Sequence, residues 1–419
     1  MRTRTIALAA ALALGAGGLA ACGGEDEAAD TATQASAVAT DTGSTEAAAP
    51  ASGEPIRVGF LNQEKGAASF PDFGAGARAA SAYLNEELGG VDGRPLELVE
   101  CLTDGTPESS IDCANRFAEE EVAVVLQGID FSSDAALPIL EEAGIPLVGH
   151  TAFGTAQSVS EDAFFFGAAL PAYGVAPLQV MRDQLDATSA VYVGADQKLI
   201  RAFVDGAIGP AAKELGIELT PIYYQTGSAN FSSVITSAMA KKPDVIFTTA
   251  PDPDCIGMVK AASTLGYQGD LFAGSCSAFI SADPSSADGV FTSSDLWEPE
   301  AAEQAPPGKR EQIETYVAQM EQRAPDHVAG FAQDTFSSTM DLAAVLGSVE
   351  GEITPASVTE ALRATAGLDS YMGQELTCDG EQWPGQPSAC GAGILVYRVE
   401  GDARVPVTDG FVDAADLVG

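Results

Sequence analysis

The stretch Val122-Ala123-Val124-Val125-Leu126-Gln127-Gly128-Ile129-Asp130-Phe131-Ser132-Ser133-Asp134 reads as an apolar strand running into a polar loop. Ala135 to Ala143 has the composition of a short helix. Ile145-Pro146-Leu147-Val148 is a second strand, and Gly149-His150-Thr151-Ala152-Phe153-Gly154 a second loop. The apolar runs are too short for helices and do not alternate with polar residues, which is the pattern of strands buried on both faces of a parallel sheet. Open parallel sheets take ligands in the crevice beyond the carboxyl ends of their strands. Both loops stand at such ends, and they carry hydroxyls, backbone N–H groups and one of the two histidines of the chain.

Working outward, Ile56 to Leu61 is a first strand, followed by a helix from Asp72 to Leu88 on which Ala80, Tyr83, Leu84 and Leu88 recur at helical spacing. Gly89-Gly90 stops that helix. Leu96 to Cys101 is a strand, Glu108 to Glu121 a helix, and Ala163 to Phe166 a further strand. The order then begins again, with strands at 190–193, 217–224, 245–248, 271–273 and 289–291 and helices over 199–215, 232–240 and 254–265. Gly93-Arg94-Pro95-Leu96-Glu97-Leu98 is echoed by Gly216-Ile217-Glu218-Leu219. Two similar α/β lobes follow from this repetition. Three more helices are marked by Ile313, Val317 and Met320, by Phe336, Met340, Ala343 and Ala344, and by Val358, Ala361 and Leu362. Thr354-Pro355 opens the last. The tail holds strand-like runs at 394–399 and 405–407.

The N-terminus reads as a targeting segment. Arg2 and Arg4 precede the apolar run Ile6 to Ala16, too short to span a bilayer, and Leu19-Ala20-Ala21-Cys22 resembles the lipobox of bacterial lipoproteins. That resemblance implies a signal peptide over 1–21, cleavage before Cys22 and lipidation there; the other reading is a secretory peptide with a chance cysteine. Residues 22–54 lack aromatic residues, Lys and Arg, and are predicted to be a disordered tether, with an r.m.s. reach of roughly 30 Å. The remainder is too long for one ordinary core and suits two lobes.

A formal charge of −40 argues against nucleic acid and against docking on acidic lipid through the protein surface. Six cysteines besides Cys22 suggest three disulfides in an exported chain. Of the fifteen pairings, sequential neighbours are favoured, because Cys101 with Cys113, Cys255 with Cys276, and Cys378 with Cys390 each fall within one supersecondary unit. No pair has CxxC spacing, so neither a metal site nor a cofactor is expected. GxSxG, SxxK, HExxH and P-loop motifs are absent from the sequence. Gly74-Ala75-Gly76-Ala77-Arg78-Ala79 mimics a dinucleotide fingerprint but begins inside the helix, too far past the first strand.

With these features in place, the chain resembles the type I periplasmic solute-binding proteins of the branched-chain amino-acid-binding (leucine-binding-like) family, which serve ABC importers. The resemblance covers nearly all of residues 55–415. It rests on Gly76-Ala77-Arg78, Asn85, Gly89-Gly90-Val91-Asp92-Gly93-Arg94-Pro95-Leu96-Glu97, Gly144-Ile145-Pro146-Leu147 and Phe336 to Leu342, taken together in order and spacing. It implies an α/β fold of two Rossmann-like lobes, with parallel-type sheets flanked by helices. Three hinge crossings are expected near Gly167–Leu170, Ser293–Leu296 and Met372–Gly393. The implied division is lobe 1 over 55–168, lobe 2 over 169–294, lobe 1 again over 295–375, and a hinge return with the lobe 2 tail over 376–419.

The resemblance also implies a function: an extracytoplasmic, lipid-anchored monomer, not an enzyme, that captures a small polar ligand between its lobes and delivers it to ABC permease subunits in the membrane. In amino-acid-binding relatives the first lobe holds the α-carboxylate with two loops that align with Asp130 to Ser133 and with His150 to Phe153. Ser132, Ser133 and Thr151 are the candidate donors. Phe153 falls where a second hydroxyl is expected, and Asp130 places a negative charge where a carboxylate would approach. In the second lobe, Lys198 and Ser275 fall near positions that are aromatic or acidic in relatives, leaving Asp252 and Asp254 to supply the charge. These departures leave an amino acid, an amide or a small organic acid open as ligand.

Other readings stand beside these. His150 is a ligand contact or a capping, surface histidine; His327 reads as surface. Ser132 and Ser133 also suit a helix cap, which is compatible with ligand binding. Phe70 and Phe331 line the cleft or belong to the core, and Tyr173 stands close to a crossing. Asp252-Pro253-Asp254 also suits a plain helix start. A ligand sensor for a signalling partner is the alternative function, and an amidase-type hydrolase on a related fold a more distant one.

Overall fold

The computed structural model describes residues 49–418 except Ala67 and Ser228, and the side chains of Leu199 and Asp252 are likewise not described. The expected signal peptide, Cys22 and the tether as far as residue 48 lie outside the described residues. The chain runs β1 (Ile56–Gln63), α1 (Pro71–Glu87), β2 (Leu96–Thr103), α2 (Pro107–Glu119), β3 (Val124–Gln127), α3 (Leu137–Ala143), β4 (Leu147–Gly149), α4 (Thr155–Val159) and β5 (Ala163–Ala168). It continues through α5 (Ala172–Leu185), β6 (Ser189–Ala195), α6 (Lys198–Phe203), α7 (Gly209–Glu214), β7 (Glu218–Tyr224), α8 (Phe231–Met239), β8 (Val245–Thr248), α9 (Asp252–Leu265), β9 (Asp270–Phe272), α10 (Ala278–Ala282), α11 (Pro284–Ala287) and β10 (Phe291–Ser294). It ends with α12 (Pro307–Arg323), α13 (Ala332–Gly347), α14 (Pro355–Arg363), β11 (Ala366–Asp369), β12 (Glu375–Thr377), β13 (Ala389–Gly391), β14 (Gly393–Glu400), β15 (Ala403–Pro406) and β16 (Val412–Asp413).

The first sheet has the order β13-β5-β4-β3-β1-β2, all parallel; the second has β15-β14-β10-β9-β8-β6-β7, parallel from β10 to β7, with antiparallel β14 and its partners at one side. The repeated core order, 5-4-3-1-2 and 10-9-8-6-7, is the structural form of the repeat seen in the sequence. In β3, Val124 and Leu126 join the core on one face and Val125 that on the other, and all three are fully buried. Each such side chain contributes roughly 1.5–3 kcal/mol by leaving water. Helix α1 lies against α13. Gly76 makes this approach possible, since a Cβ there would collide with the Ala332 carbonyl and lie 2.6 Å from Thr335 Oγ1.

Three disulfides join Cys101 to Cys113, Cys255 to Cys276 and Cys378 to Cys390, the sequential set. No helix among the described residues is long and apolar enough to cross a membrane.

Several elements differ from the sequence reading. Helix α5 was not foreseen: it is buried on nearly every side, from Ala172 to Met181, so it shows no one-sided periodicity, and Pro177 sits inside it. The single helix expected over 199–215 is broken by a π segment at Val204–Ile208. The β11–β12 hairpin was also missed; its strands are short and mostly exposed.

The chain leaves the first sheet after Ala168, returns from the second after Ser294, and crosses again between Gly391 and Gly393. The return and second-lobe tail were expected over 376–419. Leu376, Cys378 and Cys390 pack in the first core, and the chain joins the second sheet only at Gly393. At the crossings, Trp297 N–H donates to Met372 O at 2.7 Å, and the Gln374 side chain accepts from Gly393 N–H at 2.8 Å and donates to Gly393 O at 3.2 Å.

Candidate ligand-binding cleft

Strands β5 and β10 both run into crossings at their carboxyl ends, so the carboxyl ends of the two sheets adjoin where the chain passes between them. The loops after β1, β3 and β4 therefore form the first-sheet side of the cleft. Asn62, buried at the end of β1, ties them together. Its Oδ1 accepts from Ile129 N–H at 2.9 Å and its Nδ2 donates to Phe70 O at 3.0 Å.

Asp130 is buried and turned into its own loop. One carboxylate oxygen accepts from Ser110 Oγ at 2.6 Å and the other from Ser132 N–H at 3.0 Å. Burial raises its pKa, against these hydrogen bonds. Ser132 Oγ donates to Gly105 O at 2.6 Å, and Ser133 Oγ donates to Asp130 O at 2.5 Å while accepting from Gln157 Nε2. Asp134 accepts from the N–H groups of Ala156 and Gln157 at 3.1 and 3.2 Å, and so fills the positive end of α4.

Aromatic rings occupy the rim. Phe131, 53% exposed, meets Phe70 and Phe153 edge-to-face at centroid distances of 5.7 and 5.8 Å. Phe331, 40% exposed, stacks on Phe73 at 5.4 Å. Phe70 caps α1 and Phe73 lies in its first turn, so both aromatic groups grow from the same helix start.

His150 is buried. Its Nε2 lies 3.0 Å from Asp295 Oδ1, and its Nδ1 3.5 Å from Ser338 Oγ. The second Asp295 oxygen accepts from Ala168 N–H at 2.7 Å. Gly167 leaves room for this cluster, since any Cβ there would collide with Asp295 and approach both the ring and the carbonyl of His150. Burial opposes the imidazolium, but the charges of Asp295, Asp334 and Asp341 outweigh it and raise His150 to about 9. Burial likewise opposes ionisation of Asp295, and the His150 charge nevertheless holds its pKa below the ordinary carboxylate value. Burial pushes Asp334 up to about 7 and Asp341 up to about 6, although part of Asp334 still reaches solvent. Thr151 is buried with its hydroxyl 3.4 Å from Tyr173 Oη, and burial holds that phenol well above its usual pKa.

On the second-sheet side, Asp254 in the first turn of α9 accepts from Tyr224 Oη at 2.6 Å. Arg201 pairs with Asp196 at 2.7 Å and lies 3.9 Å over the Tyr223 ring. Lys198 and Ser275 are exposed, and the Asp252 side chain lies outside what the structure describes.

Of the residues singled out from sequence, Phe70, Asp130, Ser132, Ser133, His150 and Thr151 stand on the first-sheet loops. Tyr173 joins Thr151, Asp254 stands with the second sheet, and Phe331 opens α13. Phe131, Asp295 and Ser338 were not singled out. Phe131 lay in the quoted loop, and an aromatic at a strand end was the available signal; nothing in the sequence joins Asp295 to a histidine 145 positions away. Two cavities lie elsewhere, one of about 590 Å³ along α1 and α12 and one of about 460 Å³ between α8 and α9. Among the described residues, no group of three or more His, Cys, Asp or Glu is placed to hold a metal ion.

A family model described as periplasmic binding protein matches residues 55–399. A comparison with curated protein sequences gave no match. Among solved structures, the chain is similar to a leucine-binding protein, LivK, from Thermotoga maritima, at 18% identity and TM-score 0.67, covering 86% of this chain and 99% of that one. The substrate-binding protein LivJ from Streptococcus pneumoniae, solved with isoleucine, aligns at 16% identity and TM-score 0.66, again over 86% and 99%. An ABC transporter substrate-binding protein from Sphaerobacter thermophilus aligns at 18% identity and TM-score 0.70, over 86% and 99%.

Proposed function

The chain belongs to the periplasmic binding protein family, whose members bind solutes outside the cytoplasm and are not enzymes, and we propose that it captures a small polar ligand between its two lobes and delivers it to the permease of an ABC importer. The observation that carries this reading is the meeting of the carboxyl ends of both sheets at the three crossings, with exposed side chains on the loops there. Ligand touching both lobes would bias a hinge equilibrium towards the closed form, and the closed form would dock on the permease.

The lobes are proposed as 55–168 with 295–375, and 169–294 with the tail, with the return refined to Gly393. Phe70 and Phe331 are proposed to meet the ligand from the first lobe, with Tyr173 beside the crossing and Asp252 and Asp254 on the second lobe. Asp130, Ser132, Ser133, His150 and Thr151 are proposed to form and shape the first-lobe wall. The membrane attachment is proposed to be a lipid on Cys22. Replacing Cys22 with Ser should release the protein from membranes, and continued attachment would remove that part.

The test of the function is thermal unfolding of the purified chain against amino acids, amides, amines and organic acids. A compound at a hundred times its dissociation constant should stabilise by about 2.7 kcal/mol, a shift of a few degrees. A single chemical class of hits supports the reading. Absence of any hit, with no small molecule released from the denatured protein, would count against it.

A further inference from the structure

Several donors that would grip a carboxylate on the first-lobe side are already taken by the protein's own groups. The hydroxyl protons of Ser132 and Ser133 go to the carbonyls of Gly105 and Asp130, and Ser132 N–H goes to the Asp130 carboxylate. The N–H groups at the start of α4 go to the Asp134 carboxylate. Thr151 faces Tyr173. Two internal carboxylates thus stand on the loops that would receive an external one, and a ligand carboxylate would meet their charge with the hydroxyls of Ser132 and Ser133 already engaged.

What these loops leave unfilled is aromatic. Phe131 and Phe331 are the aromatic members of the exposed large hydrophobic side chains among the described residues, and both stand at this end of the first sheet. Phe70, Phe131 and Phe153 form a continuous edge-to-face row. Half the surface of Phe131 remains in water, although a ring in this setting gains from one more edge-to-face or offset partner. At the carboxyl ends of the second sheet Asp196 is paired with Arg201 and Asp254 accepts from Tyr224, and the whole chain carries a charge of −40, which disfavours anions.

From these observations we infer that the ligand carries an aromatic ring, seated against Phe131 between Phe70 and Phe153, with an uncharged or cationic head group, and is not an aliphatic amino acid held by its carboxylate. This deepens the solute-binding reading and rests on it. The ring adds the missing partner of the phenylalanine row, and its head points towards the polar second-lobe side. The row takes the place that a carboxylate grip would occupy, which is why Phe153 replaces an expected hydroxyl.

The test is calorimetric titration of the full chain with benzylamine, benzamide, benzoate and leucine. Benzylamine or benzamide should bind at least tenfold more tightly than leucine and more tightly than benzoate. Phe131→Ala should weaken the ring probe tenfold or more while lowering the melting temperature of the free protein by only a few degrees, whereas Leu265→Ala, an exposed apolar residue at the end of α9, should leave binding unchanged. Leucine binding as tight as the ring probes, or ring binding indifferent to Phe131→Ala, would overturn the ring while leaving a solute-binding protein. If none of the four binds, native mass spectrometry of the purified protein decides. A ring-bearing molecule released from it supports the inference, a different small molecule overturns the inference alone, and no small molecule overturns both readings.

Discussion

His150 Nε2 lies 3.0 Å from Asp295 Oδ1, a pair that joins the loop after β4 of the first sheet to the residue following β10 of the second. Both groups are buried, and the second Asp295 oxygen holds the Ala168 N–H at the first crossing. One ion pair therefore touches two of the three places where the chain passes between the sheets. The proposed hinge closure would have to proceed around it.

The pair should be visible in titration. His150 is raised to about 9, so its contribution is fully present below its ordinary value near 6.5 and is lost as pH rises through 9. The loss is about 3 kcal/mol by linkage. Asp334 and Asp341, raised to about 7 and about 6, lose their contributions at lower pH, as each ionises. A fall in stability above pH 7 is therefore assigned to His150. The chain has two histidines, so imidazole NMR resolves the case once His327→Asn assigns the other signal. A His150 midpoint below 7 would refute the pairing.

Gly76→Ala should destabilise the chain by about 1–3 kcal/mol or more, because α1 and α13 would have to part. Gly308→Ala, in α12 with nothing within 4 Å of the added methyl, should instead stabilise by up to about 1 kcal/mol. Urea denaturation of both variants checks the pair, and equal effects would contradict the close approach.

Arg404 is fully buried, 3.0 Å from Glu298 Oε1 and 5.5 Å above the Tyr397 ring. Glu298 lies just past the second crossing and Arg404 on β15. Arg404→Ala leaves a buried acid without its partner and should cost about 3–5 kcal/mol. Glu300 also faces Arg404, so Arg404→Met combined with Glu298→Leu and Glu300→Leu should recover most of that loss. A triple variant no more stable than Arg404→Ala would show that the ion pairing itself, and not the orphaned charge, carries the stability.

The Cys378–Cys390 bond anchors in the first core both ends of a loop whose Trp383 packs in the second core, just before the third crossing. Replacing both cysteines with Ser should cost about 3 kcal/mol, the value for a loop of this length. Thiol counting on the denatured, unreduced chain should find no free thiol from the six cysteines beyond Cys22. Two or more would break the pairing.

The alternation of strand and helix, the repeat of one lobe in the other and the three disulfide partners were legible because each is local. Apolar runs such as Val124 to Leu126 need burial on both faces, and each cysteine pair lies within one supersecondary unit. Helix α5 was not legible, because a helix buried all round has no polar face to set a period. The loops of the cleft could be placed from sequence, but not the state of their donors. Whether Ser132 offers its proton to a ligand or spends it on Gly105 depends on a carbonyl 27 residues away. The partner of His150 lies 145 residues away, and the row Phe70–Phe131–Phe153 draws on three separate strand ends. Sequence alone determined the family architecture and where its loops fall, since burial patterns repeat along the chain. Only the tertiary structure decided which polar groups those loops leave free, since hydrogen bonds between distant loops are settled by how the strands align.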